Sequence, residues 1–268
     1  MLDHTIKAYK VLLQAFVDAG FHFQKFEDYL VNPLEGKVVI LRHDVDELAD
    51  NALKMAKVEY DLGIVSTYFF RIVKQSNKPD VIWKIVSMGH AVGYHYEDLS
   101  LAEGDYEKAM DSFERNLSYL RQYYPVKVVC MHGSSSSKYD NRLLWKRYDL
   151  SDYGLIGEPY LSLNFNDIFY MTDTGYAWDG GKYAIRDVVE NNHGLHFHST
   201  KQVIDCIKSG SFPLQSMILA HTLWSDNLFQ WIGLHSREFL RNNVKRMAQK
   251  NGIVARAYNG LVNLYWKK

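Results

Sequence analysis

Two aspartates one residue apart, Asp44 and Asp46, are followed at wide intervals by His95, His132 and His221. Residues two apart in extended backbone face the same way, so the Asp-Val-Asp pair can bring two carboxylates to one site. One of them can hold a divalent cation while the other takes a proton from an attacking water. Imidazoles serve the same chemistry as metal ligands or as proton donors near neutral pH. Each residue also has a plainer reading. Asp44 or Asp46 can cap a helix that begins near Leu48, and a lone histidine is often a satisfied core or surface residue. Capping accounts for at most one of the two carboxylates and leaves His43, beside them, without a role.

The elements that position these residues are written in the hydrophobic pattern. Apolar, β-branched runs at 37–41, 65–72, 91–94, 126–131 and 216–220 read as buried strands. Between them, helical spacing covers 48–62, 78–88, 105–124 and 200–208, and a basic amphipathic stretch covers 236–250. Gly63 and Gly89 mark two of the helix ends. Shorter strands fit 167–171 and 183–185, in a middle region whose topology the pattern does not fix. Alternation of this kind is the signature of βα units around a parallel sheet or barrel. In such folds functional side chains gather beyond the carboxyl ends of the strands. Asp44 and Asp46 follow the first run, His95 the third, His132 the next and His221 the last, so four strand ends aim five groups at one cleft.

The chain has 268 residues, 47% of them hydrophobic, enough for a substantial core. With no internal repeat or linker, residues 1–268 read as a single domain. Lys and Arg total 31, as do Asp and Glu. No basic run supplies the counterion release that drives nucleic-acid binding, so a nucleic-acid partner is not expected. The first twenty residues read as an amphipathic helix rather than a secretory signal, and no apolar stretch reaches the length of a transmembrane segment. Cys130 and Cys206 form no CxxC pair, and two reduced thiols fit a cytoplasmic location.

The segments KVVILRHDVDE and STYFF, and then Gly89-His90-Ala91-Val92-Gly93-Tyr94-His95, resemble motifs of the NodB-homology polysaccharide deacetylases, carbohydrate esterase family 4. The resemblance runs from about Val38 to His221. It implies a distorted, incomplete (β/α) barrel and metal-dependent hydrolysis of the N-acetyl or O-acetyl group of an amino sugar or surface-polysaccharide precursor. MHGSSSSKYDNRLLWKRYD, GEPY and TDTGYAWDG look like the subgroup encoded with bacterial O-antigen and other surface-polysaccharide genes.

By that resemblance Asp44 is the general base, Asp46 and His95 are metal ligands, His221 is the general acid, and His90 supports the fold. The family's second metal histidine falls at Leu99, which cannot bind a metal. A third ligand then comes from His132, the favoured choice, or from Glu97, either compatible with zinc. The family's Arg-x-Pro-x-Gly motif is replaced by Met131-His132-Gly133-Ser134, so the positive group that tunes the base is Arg42 or Arg186. Arg42, Gly133, Trp178 and Trp224 are the expected substrate contacts, with Asp179 as a polar anchor or turn residue. His196 and His198 are a surface pair or a secondary contact. Two alternatives stay open: a catalytically inactive carbohydrate-binding relative, and a metal hydrolase of another amide or ester bond.

Overall fold

The computed structural model describes residues 2–133, 137–178, 189–190 and 193–250. Helix α1 (Ile6–Asp18) opens the chain, with the Thr5 hydroxyl accepting the Ala8 N–H as its N-cap. Its buried face, Tyr9, Leu12, Leu13 and Phe16, has the expected helical spacing. There follow β1 (His22–Phe23), α2 (Phe26–Val31), β2 (Val38–Val45), α3 (Ala49–Asp61), β3 (Thr67–Phe70), α4 (Pro79–Ser87) and β4 (Ala91–Tyr96). Next come α5 (Asp98–Leu101), α6 (Tyr106–Leu120), β5 (Val129–Met131), α7 (Pro159–Ser162) and β6 (Phe169–Thr172). The series ends with α8 (Thr200–Lys208), β7 (Gln215–Leu219) and α9 (Leu228–Lys250). The strand expected at 183–185 lies outside the described residues, as do Asp179 and Arg186.

All strand pairings in the sheet are parallel, in the order β5-β4-β3-β2-β7-β6, with β1 added alongside β2. The α/β class read from the sequence is therefore the one observed. Val128 and Cys130, beside and within β5, share one buried cluster with Tyr170 of β6, although these strands lie at opposite ends of the order. Between them the cluster runs through Phe69, Ile40, Met217 and Leu219, so one continuous apolar face spans the strand order. The result is an open, incomplete barrel lined by Ile40, Phe69, Met217 and Leu219. Outside it, helices α3, α4 and α6 cover one part of the sheet, and α1 and α8 another.

Two strands run further than their apolar patterns. Strand β2 continues through Arg42, His43 and Asp44, and β4 through His95, with every residue buried. Polar side chains extend these strands because each finds a buried partner, Arg42 in Asp44, His43 in the Ala220 carbonyl and His95 in the Cys130 carbonyl, so the end of an apolar run underestimates the end of the strand. Helix α3 starts at Leu48, which adopts left-handed φ and makes no side-chain cap bond, so neither Asp44 nor Asp46 is a helix cap. Helix α9 begins at Leu228 rather than near residue 236. Its first turns expose Leu228, Phe229 and Ile232, and no buried stripe announced them. Gly63 and Gly89 follow α3 and α4 with positive φ, the conformation that ends a helix cheaply only for glycine.

Candidate metal centre and acid-base groups

Side chains alternate across a strand, so positions 40, 42 and 44 of β2 share the inner face of the barrel. Ile40 lies at the bottom of that face, Arg42 above it and Asp44 at the rim. In β4 the same alternation stacks Gly93 under His95, and in β5 it puts Cys130 below His132. Gly93 has a steric reason: a Cβ there would lie 2.3 Å from the Phe69 ring and 2.9 Å from the Val128 carbonyl oxygen. The missing side chain lets Phe69 fill the barrel directly beneath His95.

At the rim, Asp46, His95 and His132 bring one ligand atom each to within 4.8 Å of one another. Asp46 Oδ1 is 3.3 Å from His95 Nε2 and 3.0 Å from His132 Nδ1. It is nonetheless buried without a well-oriented hydrogen bond. The His95 Nδ1 sits 3.0 Å from the Cys130 carbonyl oxygen. That oxygen can only accept, so Nδ1 carries the proton and the Nε2 lone pair faces the cluster. The backbone of His132 is held from both sides: its N–H donates to the Tyr96 carbonyl at 2.8 Å, and its carbonyl accepts from the buried Asn141 amide at 2.8 Å. The two imidazoles also meet each other, His132 Nδ1 to His95 Nε2 at 3.3 Å. A carboxylate oxygen with no well-formed hydrogen bond beside two imidazole nitrogens is a donor set that suits zinc or a similar ion.

Glu97 stands outside this cluster. Its Oε1 accepts from Arg71 Nε and Nη2 at 3.0 and 2.6 Å, and its Oε2 is 3.9 Å from His132 Nε2. Of the two candidate third ligands, His132 is therefore the one gathered with Asp46 and His95. Leu99 is buried in the outer core, far from ligand chemistry, because the chain turns into α5 immediately after β4. A second grouping, Asp44, His95 and Cys130, overlaps the first, but both oxygens of Asp44 are already engaged.

The engaging group is Arg42. Its Nε donates to Asp44 Oδ1 at 2.9 Å and its Nη2 to Oδ2 at 2.6 Å, in a two-pronged pair enclosed by the barrel. Burial would raise the Asp44 carboxyl pKa, but Arg42, with help from His95, outweighs it and holds the pKa below the usual value. Arg42 has no exposed surface, so the expectation that it touches substrate is corrected: its bonds run to Asp44 and to the Tyr160 hydroxyl. Asp46 is likewise held well below the ordinary carboxylate range, burial being outweighed by His132 and His95.

His221, two residues past the end of β7, is bound to a residue the sequence pattern did not single out. Asp173 Oδ1 accepts both the His221 backbone N–H at 2.9 Å and its Nδ1–H at 2.7 Å. Burial would depress the imidazole pKa, but the Asp173 bond and charge, with Asp46 and Asp44 beyond, lift it to about 10. The signal for Asp173 was available: it follows the run 167–171, so the strand-end argument that found the histidines applied to it as well.

The remaining expectations fall at the periphery. Trp178 and Trp224 are fully buried, which corrects their reading as substrate platforms. Their indole N–H groups donate inward, to Thr200 Oγ1 at 3.0 Å and to Asp173 Oδ2 at 2.9 Å. Gly133 is half-buried where the chain leaves His132. His196 and His198 are exposed ahead of α8, and neither joins a metal-ligating group among the described residues. His90 is buried between the Ala56 carbonyl and Ser66, in keeping with a role in the fold.

The sequence matches no known protein-family profile and no curated protein. Among solved structures, the chain is similar to a CE4 esterase from Streptococcus mutans at 16% identity and a TM-score of 0.42, over 84% of this chain and 85% of that one. It is similar to a family 4 carbohydrate esterase from Streptomyces lividans, in complex with acetate, at 12% identity and TM-score 0.40, over 79% and 90%. A mutant of the peptidoglycan deacetylase PdaC from Bacillus subtilis matches at 10% identity and TM-score 0.37, over 81% and 98%. At such values the chemistry has to be read from the side chains themselves.

Proposed function

We propose that this chain is a metal-dependent deacetylase that hydrolyses the acetamido group, or an acetyl ester, of an amino sugar or surface-polysaccharide precursor. One observation carries the reading: the Asp46–His95–His132 cluster, whose Asp46 oxygen has no well-formed hydrogen bond, is accompanied by a carboxylate kept ionised by Arg42 and an imidazole kept protonated by Asp173. Opposite protonation states beside a cation site are what acyl hydrolysis needs.

Asp46 through a carboxylate oxygen, His95 through Nε2 and His132 through a ring nitrogen would hold the ion, most simply zinc. When bound, it supplies charge that polarises the acyl carbonyl and acidifies the attacking water. Asp44 accepts the proton of that water, since the Arg42 pair keeps the carboxylate ionised at neutral pH. His221, with Nδ1–H committed to Asp173, presents Nε2–H to the departing nitrogen. An amide nitrogen leaves poorly until it is protonated, so this donor is as necessary as the base. We read the chain as one catalytic domain, of the subgroup associated with surface-polysaccharide biosynthesis, working in the cytoplasm. The free thiols of Cys130 and Cys206 are compatible with that compartment.

The test is metal analysis of the purified protein together with acetate release from a panel of N-acetylated and O-acetylated sugars, simple amides and esters. Stoichiometric metal with acetate from the acetamido sugars is the expected result. Metal with acid released only from other amides or esters would move the activity to a different acyl hydrolase. Absence of both metal and turnover would leave a sugar-binding relative.

A further inference from the structure

Fixing a histidine through a carboxylate works only if the carboxylate is itself fixed. Asp173 can rotate about its own side-chain bonds, and His221 engages only its Oδ1. The other oxygen, Oδ2, accepts the indole N–H of Trp224 at 2.9 Å. Trp224 is completely buried, its ring against Tyr9 at 5.0 Å, His4 at 5.1 Å and Trp178 at 5.7 Å between centroids. Its backbone is tied down as well: Asn51 donates to the Trp224 carbonyl at 3.1 Å and to the Thr222 carbonyl at 3.2 Å. An indole can donate and cannot accept, so it stabilises the ionised carboxylate and never competes for the His221 proton.

We propose that Trp224 is a positioning residue for His221, acting through Asp173: its N–H pins Oδ2, so that Oδ1 stays aligned with the imidazole Nδ1–H and Nε2 stays turned to the cleft. The inference rests on the reading of His221 as the proton donor, but its structural part can be tested without turnover. Residues that act on a catalytic group from behind in this way are worth about one charge-assisted hydrogen bond, roughly a factor of 10 to 100 in rate.

The experiment replaces the Trp224 indole by its benzothiophene isostere, which keeps the fused ring and lacks the N–H, in the zinc-loaded full chain. Trp224→Phe is the second variant, should the isostere not fold. The first readout is the downfield proton resonance of His221 Nδ1–H, assigned by its loss in His221→Gln. The second is acetate release from an N-acetylated chitooligosaccharide. The proposal expects the resonance to move upfield and exchange faster with solvent in both variants, with kcat lowered about tenfold and KM changed less than about twofold. Tyr9→Phe, which removes a buried hydroxyl beside the same ring without touching Asp173, lowers stability and leaves the resonance in place. A resonance unchanged by removal of the indole N–H overturns the proposal, as does its absence from the unaltered protein. If the resonance responds while no acetamido sugar is turned over, the positioning stands and the assigned reaction falls.

Discussion

Strand β2 has a carboxylate against each of its faces, Glu59 of α3 on the outer and Asp46, one residue past the strand end, on the inner, and the two are answered differently. On the outer face, Glu59 of α3 is wholly enclosed and fully answered. Its Oε1 accepts from the hydroxyls of Tyr9 and Tyr68 at 2.6 and 2.7 Å and faces His43 Nε2 at 3.0 Å, while Oε2 accepts from Ser66 at 2.5 Å. The other ring nitrogen of His43 meets the Ala220 carbonyl at 2.8 Å, so this polar cluster also ties β2 to the end of β7. On the inner face, Asp46 is surrounded by nitrogens and yet one oxygen lacks a well-formed hydrogen bond. A satisfied buried network is a structural joint; a buried oxygen left without a well-formed hydrogen bond, with two imidazole nitrogens beside it, is a place prepared for something else.

The widest gap between the two faces is expected in metal binding. Asp46→Ala and His95→Ala are each predicted to weaken zinc by more than about 100-fold, read by elemental analysis after dialysis, whereas Glu59→Gln retains about one equivalent in its folded fraction. Unchanged metal in both inner-face variants would erase the distinction. Stability reverses the ranking. Glu59→Gln breaks a buried pair and is expected to cost about 3 kcal/mol in urea unfolding, more than Asp46→Ala measured without metal.

The outer face also has a pH signature. Burial would raise the Glu59 pKa, but His43 above all, with His90 and Ser66, brings it down to about 2. Its contribution, on the order of 3 kcal/mol, is thus complete above about pH 4.5 and is lost as pH falls towards 2. A Glu59→Gln protein whose unfolding midpoint still fell as steeply over that range would show that the joint lies elsewhere.

Gly93→Ala probes the floor under the inner face. A new Cβ must displace Phe69 and press on the backbone at Val128, at a cost of about 2 kcal/mol, with metal affinity reduced because His95 is directly above. Replacing the Trp178 indole by its benzothiophene isostere, which removes only a bond to Thr200, has the smallest effect, about 1 kcal/mol in thermal denaturation and none in metal content.

The inner face was largely readable from the sequence because one rule, polar residues at the ends of apolar runs, applies separately to each strand. It found Asp44, Asp46, His95, His132 and His221 without knowledge of how the strands are ordered. It could not tell a residue's direction of bonding: Arg42, Trp178 and Trp224 look like substrate contacts in a string of letters, and only the packing turns them inward. The outer joint was not readable. His43 and Glu59 belong to different elements, and the partners that explain them come from α1, β3 and β7. Asp173 was missed for a different reason, since the rule covered it but its run was one of the two shorter strands in the region with no assigned topology.

Of the three strands that lead to Asp46, His95 and His132, β2 and β4 lie inside the sheet, whereas β5 is three residues long and stands at the end of the strand order. Among the described residues its open side is closed by the Gly157 carbonyl and the Glu158 carboxylate, which take the N–H groups of Val129 and Met131. An ion held at the ends of the three strands would therefore rivet the margin of the barrel to its interior. Amide hydrogens at 129–132 are where loading the ion will slow exchange with deuterated solvent the most, and where its withdrawal will first loosen the protein.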